Sequence, residues 1–380
     1  MTKEERKNQN SIETQSPRQL MRKRFNRHRP AVGAFFLLQV MYLLAIFAEF
    51  FATYSPQYKN LDYAYCPPQV PRFSFSKGFY VNQMRRCTDP VTFRKTYTEE
   101  PNTISLRFFT KGEPYKLWRI LSWDRHLVGI ENAGQINENT ASNNTQISQP
   151  TFYLLGADKY GRDIFSRIIY GARISLSVGI AAIILTFTLG LSIGGISGYV
   201  GGSTDTFIQR SIEVINSVPK LPLWLAMGAI LPDDWSPLKI YFAITAVLSL
   251  LGWTRLARVV RGKLLALREE DYAVAAYLLG ASHKRIIFRH LLPGFTSHII
   301  VSITLTIPWM ILGETTLSFL GVGLRPPVVS WGVMLQDCMN MTTVANYPWL
   351  LMPVVFIIVT VLCFNFLGDG LRDAADPYSQ

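Results

Sequence analysis

The sequence predicts an all-α polytopic membrane protein: six transmembrane helices, with an extracytoplasmic insertion, mixed α/β or irregular, between the first and second. Three observations carry that prediction. Of 380 residues, 49% are hydrophobic and only 17% charged, against roughly 25% charged in an average soluble domain. Six apolar stretches, near 31–53, 174–199, 207–231, 237–256, 295–319 and 347–368, approach the roughly 20 residues that cross a bilayer core about 30 Å thick. The mean hydropathy of only +0.16 requires a large polar portion beside them, and residues 54–150 supply it.

The tail 1–30 carries nine basic residues, Lys3, Arg6, Lys7, Arg18, Arg22, Lys23, Arg24, Arg27 and Arg29, which places it in the cytoplasm by the positive-inside rule. The apolar run after it is longer than a leader's hydrophobic region and has no small-residue cleavage site behind it, so it reads as an uncleaved span, 31–53. Six spans then put both termini inside and make the loop 258–294 cytoplasmic. That loop is rich in Arg and Lys, whereas the short outer loop 232–236 carries Asp233 and Asp234 and no base. The net charge of +12 would suit nucleic acid or an anionic surface. Much of it is topogenic, and no nucleic-acid-binding motif accompanies it. Cys66, Cys87, Cys338 and Cys363 show no C-x-x-C spacing, so a zinc module and a disulfide-dense fold are both disfavoured.

The insertion 54–150 is rich in Tyr, Phe and Pro, and short alternating runs such as Thr103 to Phe109 suggest some strand. A polar linker from Gly134 to Pro150 follows, with a sequon-like Asn143-Asn144-Thr145 that chance alone often produces. Cys66 and Cys87 both lie in the insertion, where a disulfide and two free thiols are both open. A docking platform and a plain spacer are equally open as its role. Residues 151–173 read as an interfacial segment leading into the transmembrane core, 174–370, and a tail, 371–380, closes the chain.

Polar groups inside spans mark packing or passage. Gly190, Gly194 and Gly198 recur at four-residue spacing, the small-residue ridge that lets helix backbones approach, and packing is the favoured reading. Arg210 and Glu213 are three apart and can pair on one helix face. Glu314 sits well inside an apolar run; lining of a translocation path and a structural ion pair or hydrogen bond both fit it. Pro219, Pro222 and Pro308 interrupt helices, which membranes tolerate where neighbours satisfy the freed carbonyls.

The cytoplasmic loop is too well patterned for a spacer. It reads RGKLLALREEDYAVAAYLLGASHKRIIFRHLLPG from 261 to 294. Two helical patterns flank Gly280, which suits a left-handed C-terminal position, and Ser282 can cap the second helix, whose stop is expected at Pro293. The periodicity places Leu264, Leu265, Leu267, Tyr272, Ala275, Ala276 and Leu279 on one face of the first helix. Such a knob fits a groove on a partner, small side chains allowing close approach and a charged rim fixing orientation. His283 and His290 are seven apart with no H-E-x-x-H and no nearby cysteine, so no metal site is expected. No nucleophile and histidine stand in a catalytic pattern either, which demotes a membrane enzyme.

This loop resembles the EAA coupling loop of ABC importer membrane subunits, in which two alanines are followed by a glycine and then by a proline 13 residues beyond it. Here those are Ala275, Ala276, Gly280 and Pro293. The order Asp271-Tyr272-x-x-Ala275-Ala276 is similar to the peptide and nickel subgroup, although position 274 is Val and a basic residue usual after the alanines is replaced by Tyr277. Three further blocks, 155–176, 317–335 and 364–377, resemble the C-type subunits of oligopeptide and dipeptide permeases in family order. Together with the spans, the resemblance covers nearly everything after residue 151; the insertion has no counterpart in it.

What the resemblance implies is the type I ABC importer fold in a bacterial inner membrane, moving di- or oligopeptides inward. The partners implied are a second, B-type permease subunit, two cytoplasmic ATPases on the coupling loops and an extracytoplasmic binding protein. The implied contact residues are Asp271, Tyr272, Ala275, Ala276, Gly280, Ala281 and Ser282, with Arg285, His290 and Pro293 at the rim or tying the loop to the spans. For His290, a hydrogen-bonded structural role is the commoner one. The chain lacks G-x-x-x-x-G-K-[ST], so ATP and Mg are expected on the ATPases, with no cofactor on this chain. Nickel or oligosaccharide cargo is the alternative within this machinery. An ATP-independent secondary transporter is the alternative outside it, but no internal repeat supports one.

Overall fold

The computed structural model describes residues 17–88, 90, 91, 95–117, 120–130, 151–232 and 234–375. The expected linker 134–150 with its sequon, the head residues Lys3, Arg6 and Lys7, Asp233, and Pro377 of the last sequence block lie outside the described residues. The main elements in chain order are α1 (Arg29–Ile46), β1 (Arg72–Ser74), β2 (Gly78–Thr88), β3 (Lys95–Leu117), β4 (Leu121–Ile130), α2 (Ile164–Val200), α3 (Gly202–Ser217), α4 (Lys220–Ala229), α5 (Pro237–Leu267), α6 (Asp271–Leu278), α7 (Leu292–Phe319) and α8 (Met352–Ala375).

Among the described residues, five helical stretches are long and apolar enough to cross a membrane: α1, α2, α5, α7 with the turn before it from Ile286, and α8 with the turn before it from Pro348. The remaining expected span, 207–231, is not one helix. It is the 16-residue α3 and the 10-residue α4, broken at Val218 and Pro219. The cause is local: proline has no N–H to donate, and it drives the residue before it out of the helical region, so Val218 is extended at φ −87, ψ 131. Two other boundaries moved. The interfacial segment expected at 151–173 includes a turn, Asp158 to Asp163, and its last ten residues, 164–173, are already part of α2, which runs unbroken for 37 residues. Asp163 starts it, accepting from Ser166 N at 2.8 Å. The helix α5 continues to Leu267, eleven residues past the expected end of its span.

Two compact units divide the chain. One holds the described residues up to Val40, Val178–Glu314 and those from Ile358 on; the other holds Met41–Ser177 and Thr315–Ile357. Glycine sets the packing in the first unit. A Cβ at Gly194 would lie 2.7 Å from Ala257 Cα, and one at Gly198 would lie 2.8 Å from Arg261 O. The four-residue glycine spacing is thus the seam on which α2 meets α5, as the packing reading expects. A Cβ at Gly190 would meet Leu256 on the same seam, at 2.8 Å.

The second unit contains an antiparallel meander in the order β1-β2-β3-β4, with Val81 opposite Ile104 and Leu106 opposite Ile130. Strand side chains alternate between faces, and these four bury one face together with Phe152. Cys66 is buried among Tyr63, Tyr153 and Ala157, whereas Cys87 is exposed on β2, and both are free thiols.

Candidate functional site

The coupling loop is built on the end of α5. That helix stops at Leu267, and the chain re-enters a helix at Asp271 after Glu270 takes an extended conformation at φ −70, ψ 144. The interruption resets the helical phase. The sequence stripe of Tyr272, Ala275 and Leu279 is therefore not the buried one: α6 turns Ala273 and Ala276 inward, while Tyr272, Ala275, Leu278 and Leu279 are exposed. Ala273 and Ala276 pack with Leu256, Val260 and Leu264 of α5 and with Ile286, Leu291 and Phe295. Ala276 therefore serves the chain's own core, its small side chain letting α6 lie close to α5, and Ala275 faces out.

Gly280 ends α6 as the spacing predicts. Its φ is +79, a region that non-glycine residues enter at a cost. Its N–H donates to Tyr277 O at 2.9 Å while Ala281 N donates to Ala276 O at 3.0 Å, the paired bonds of a Schellman stop. Ser282 caps the next turn, accepting from Arg285 N at 3.4 Å. Pro293 does not end that helix. The turn His283–Arg285 passes into a π-helix, Ile286–Leu291, and on into α7. In the wider π turn Leu292 N reaches back to Ile287 O, so a residue without an N–H is accommodated at 293, and the bend falls at Phe295, φ −126 and ψ 15.

The outer surface of the knob is apolar, with Val274 43%, Tyr277 59%, Leu278 78%, Leu279 88% and Phe288 62% exposed. Glu269, Glu270 and Asp271 flank it at one end, and Arg285 and Arg289 follow the turn; all five are exposed. Clustered apolar side chains with a charged rim are the anatomy of a protein interface. His290 is half-buried.

Two contacts that the sequence did not reveal hold the knob and its base. Tyr199, at the end of α2, has its hydroxyl 2.6 Å from His283 Nδ1. Asp205, in the first turn of α3, makes a paired ion contact with the Arg261 guanidinium at 2.5 Å and accepts from Ser197 Oγ. The hydrogen bonds from Arg261 hold the Asp205 carboxyl down to about 2, and Ser197 adds to this against the opposing effect of burial. An acidic residue opening a helix was a visible signal; its partner 56 residues on was not.

The polar groups expected inside spans separate into two cases. Arg210 Nη1 and Glu213 Oε2 pair at 2.8 Å with both side chains largely exposed. Glu314 is fully buried in α7.

Comparison with known proteins gives two family matches. Residues 187–378, which include the knob, match the binding-protein-dependent transport system inner membrane component family. The chain belongs to this family. Residues 16–68 match the N-terminal transmembrane domain of oligopeptide transport permease C. The oligopeptide transport system permease protein OppC of Bacillus subtilis (strain 168) is 41% identical over 58% of this chain and 70% of its own length. Dipeptide transport system permease protein DppC of the same organism is 41% identical over 58% and 68%, and OppC of Escherichia coli (strain K12) is 40% identical over 59% and 72%. A solved inward-facing MetNI methionine ABC transporter chain is similar at 17% identity and a TM-score of 0.44, over 56% of this chain and 97% of that one. The permease is thus a membrane-spanning transport subunit of an ABC importer. The two family matches leave residues 69–186, with the sheet, outside both.

Proposed function

We propose that this permease moves di- or oligopeptides into the cell, driven by ATP and Mg held on two separate cytoplasmic ATPase subunits that seat on the α6 knob. The observation that carries the reading is the knob itself, an uncovered apolar face ending in a glycine stop and seated on the same core as α5. A rigid seat of this kind transmits a push from the partner into α5 and α7 rather than absorbing it. Asp271, Tyr272, Ala275, Gly280 and Ala281 are the residues offered to the ATPase, Arg285 the rim, and Ser282 the support of the turn. A B-type permease subunit completes the path, and an extracytoplasmic binding protein delivers cargo. The basic head and the basic α5–α7 loop support a cytoplasmic position for both termini and the knob, with α3 and α4 together supplying the remaining crossing. Peptide cargo is favoured over nickel or oligosaccharide because the relatives at about 40% identity are named for oligopeptide and dipeptide transport.

The test is ATP-driven uptake by the reconstituted importer. Labelled tripeptide should accumulate and nickel should not. Gly280→Trp should uncouple ATP hydrolysis from uptake while insertion stays normal. Gly280→Asn, which tolerates the left-handed conformation, should keep most of the coupling. Unchanged uptake in Gly280→Trp would refute the docking role of this turn, and accumulation of nickel in place of peptide would refute the cargo.

A further inference from the structure

The turn Asp158 to Asp163, the start of α2 and the segment around Asp337 enclose a cavity of about 190 Å³ within the second unit. Its charged lining is Lys59, Lys159, Arg162 and Arg167 against Asp158 and Asp337, four bases to two acids. Both acids are already engaged. Asp158 accepts from Tyr160 N at 2.8 Å, Arg162 N at 3.0 Å and Arg162 Nε at 2.6 Å, and Asp337 holds Lys159 Nζ at 2.8 Å. The other two bases are less closely matched. The Arg167 side chain is 5% exposed, and its guanidinium makes no hydrogen bond among the described residues; Asp158 Oδ2, its ion-pair partner, stands 3.9 Å away, and Asp337 and Asp163 act on it only through their charge. Among the described residues Lys59 reaches only the Tyr160 ring, at 5.5 Å.

A buried guanidinium whose carboxylate partner stands beyond hydrogen-bond distance is costly, and its planar fork matches two coplanar oxygens. Val333, Met334 and Leu350 give the same cavity apolar walls. We propose that the cavity binds a carboxylate borne on a short alkyl stem, its oxygens on the Arg167 guanidinium and Lys59 closing over it from the rim. The Asp158 turn holds this geometry. At Gly161, φ +68, a side chain would collide with the Asn60 carbonyl, and Gly161 O is itself bonded by Tyr153 Oη at 2.9 Å. Two sources carry this chemistry, the terminal carboxylate of a free peptide and an Asp or Glu side chain of a docked protein.

The experiment is equilibrium binding to the full importer complex in nanodiscs, without binding protein or ATP, using three N-acetylated tripeptides. Acetyl-Ala-Ala-Ala has only a terminal carboxylate, acetyl-Ala-Asp-Ala-amide only a side-chain carboxylate, and acetyl-Ala-Ala-Ala-amide none. At least one acid should bind where the amide does not, and which one binds identifies the source. Arg167→Met should weaken that binding tenfold or more, Arg167→Lys less. Lys59→Gln, at an exposed position that puts folding at no risk, should weaken it severalfold. Acids binding no better than the amide, or binding untouched by both Arg167→Met and Lys59→Gln, would overturn the proposal. Because no transport is measured, that failure is separate from failure of the peptide-import reading.

Discussion

Replacing Gly194 or Gly198 by alanine adds one methyl group to the α2–α5 seam. At Gly198 the new carbon would stand 2.8 Å from Arg261 O, 2.9 Å from Arg261 Cα and 3.0 Å from Leu264 Cβ, where ordinary contact begins at 3.4 Å. The obstructing atoms are mostly backbone, so no rotamer change relieves them, and the helices must part by about 0.6 Å. A shift of that size loosens the seam well beyond the added atom, because dispersion contacts weaken steeply with distance. Overpacking of this kind typically costs about 1–3 kcal/mol. Gly195 is the internal control, since among the described residues a Cβ there meets nothing within 4 Å, and alanine gains up to about 1 kcal/mol of helix propensity. The assay is thermal unfolding of the purified permease in nanodiscs at one fixed scan rate, because unfolding of such a protein is kinetically controlled. Gly194→Ala and Gly198→Ala should melt several degrees below wild type, and Gly195→Ala should not. Equal melting of Gly194→Ala and Gly195→Ala would refute the claim that glycine sets the α2–α5 distance.

Other substitutions separate the contacts around the knob. Gly280→Ala should destabilise the turn by about 1 kcal/mol through the left-handed backbone alone, read as faster proteolysis at 279–282, because among the described residues a Cβ there meets nothing within 4 Å beyond its chain neighbours. Tyr199→Phe should free the His283 side and raise amide exchange in 281–285, leaving α6 itself protected. Asp205→Asn should lower stability at neutral pH. Because the carboxyl lies at about 2 in the folded chain against about 3.9 when unfolded, its contribution is fully present above about pH 4. It is lost as pH falls toward 2, so wild type and variant melts should converge in that window.

Five of the six expected spans and the glycine seam were legible because they rest on composition and spacing along one segment. Gly280, Ser282 and the Arg210–Glu213 pair were legible for the same reason: each acts within five residues. What escaped notice depends on where the chain breaks or returns. Prolines were read as tolerated interruptions, but at Pro219 the backbone leaves the helix and one span becomes α3 and α4. At Pro293 the opposite occurred, since a π turn carries the helix through. The buried face of α6 was misassigned because the break at Glu270 resets the phase that periodicity assumes continuous. The first part of the insertion is tied to the turn before α2, with Ala157 N donating to Cys66 O at 2.8 Å and Phe152 N to Tyr54 Oη at 2.9 Å, which no spacing along the sequence indicates. A deletion meant to test the sheet should therefore spare 54–70.

The exposed face of α6 is proposed as the seat of the ATPase. Leu279, 88% exposed, and Phe75, fully exposed on the β1–β2 turn, offer a matched pair. Copurification of the ATPase subunits with Leu279→Asp and Phe75→Asp permeases, at equal membrane abundance, tests it most directly. Loss of the ATPase with Leu279→Asp and full recovery with Phe75→Asp is the predicted result; full recovery with Leu279→Asp would contradict the account.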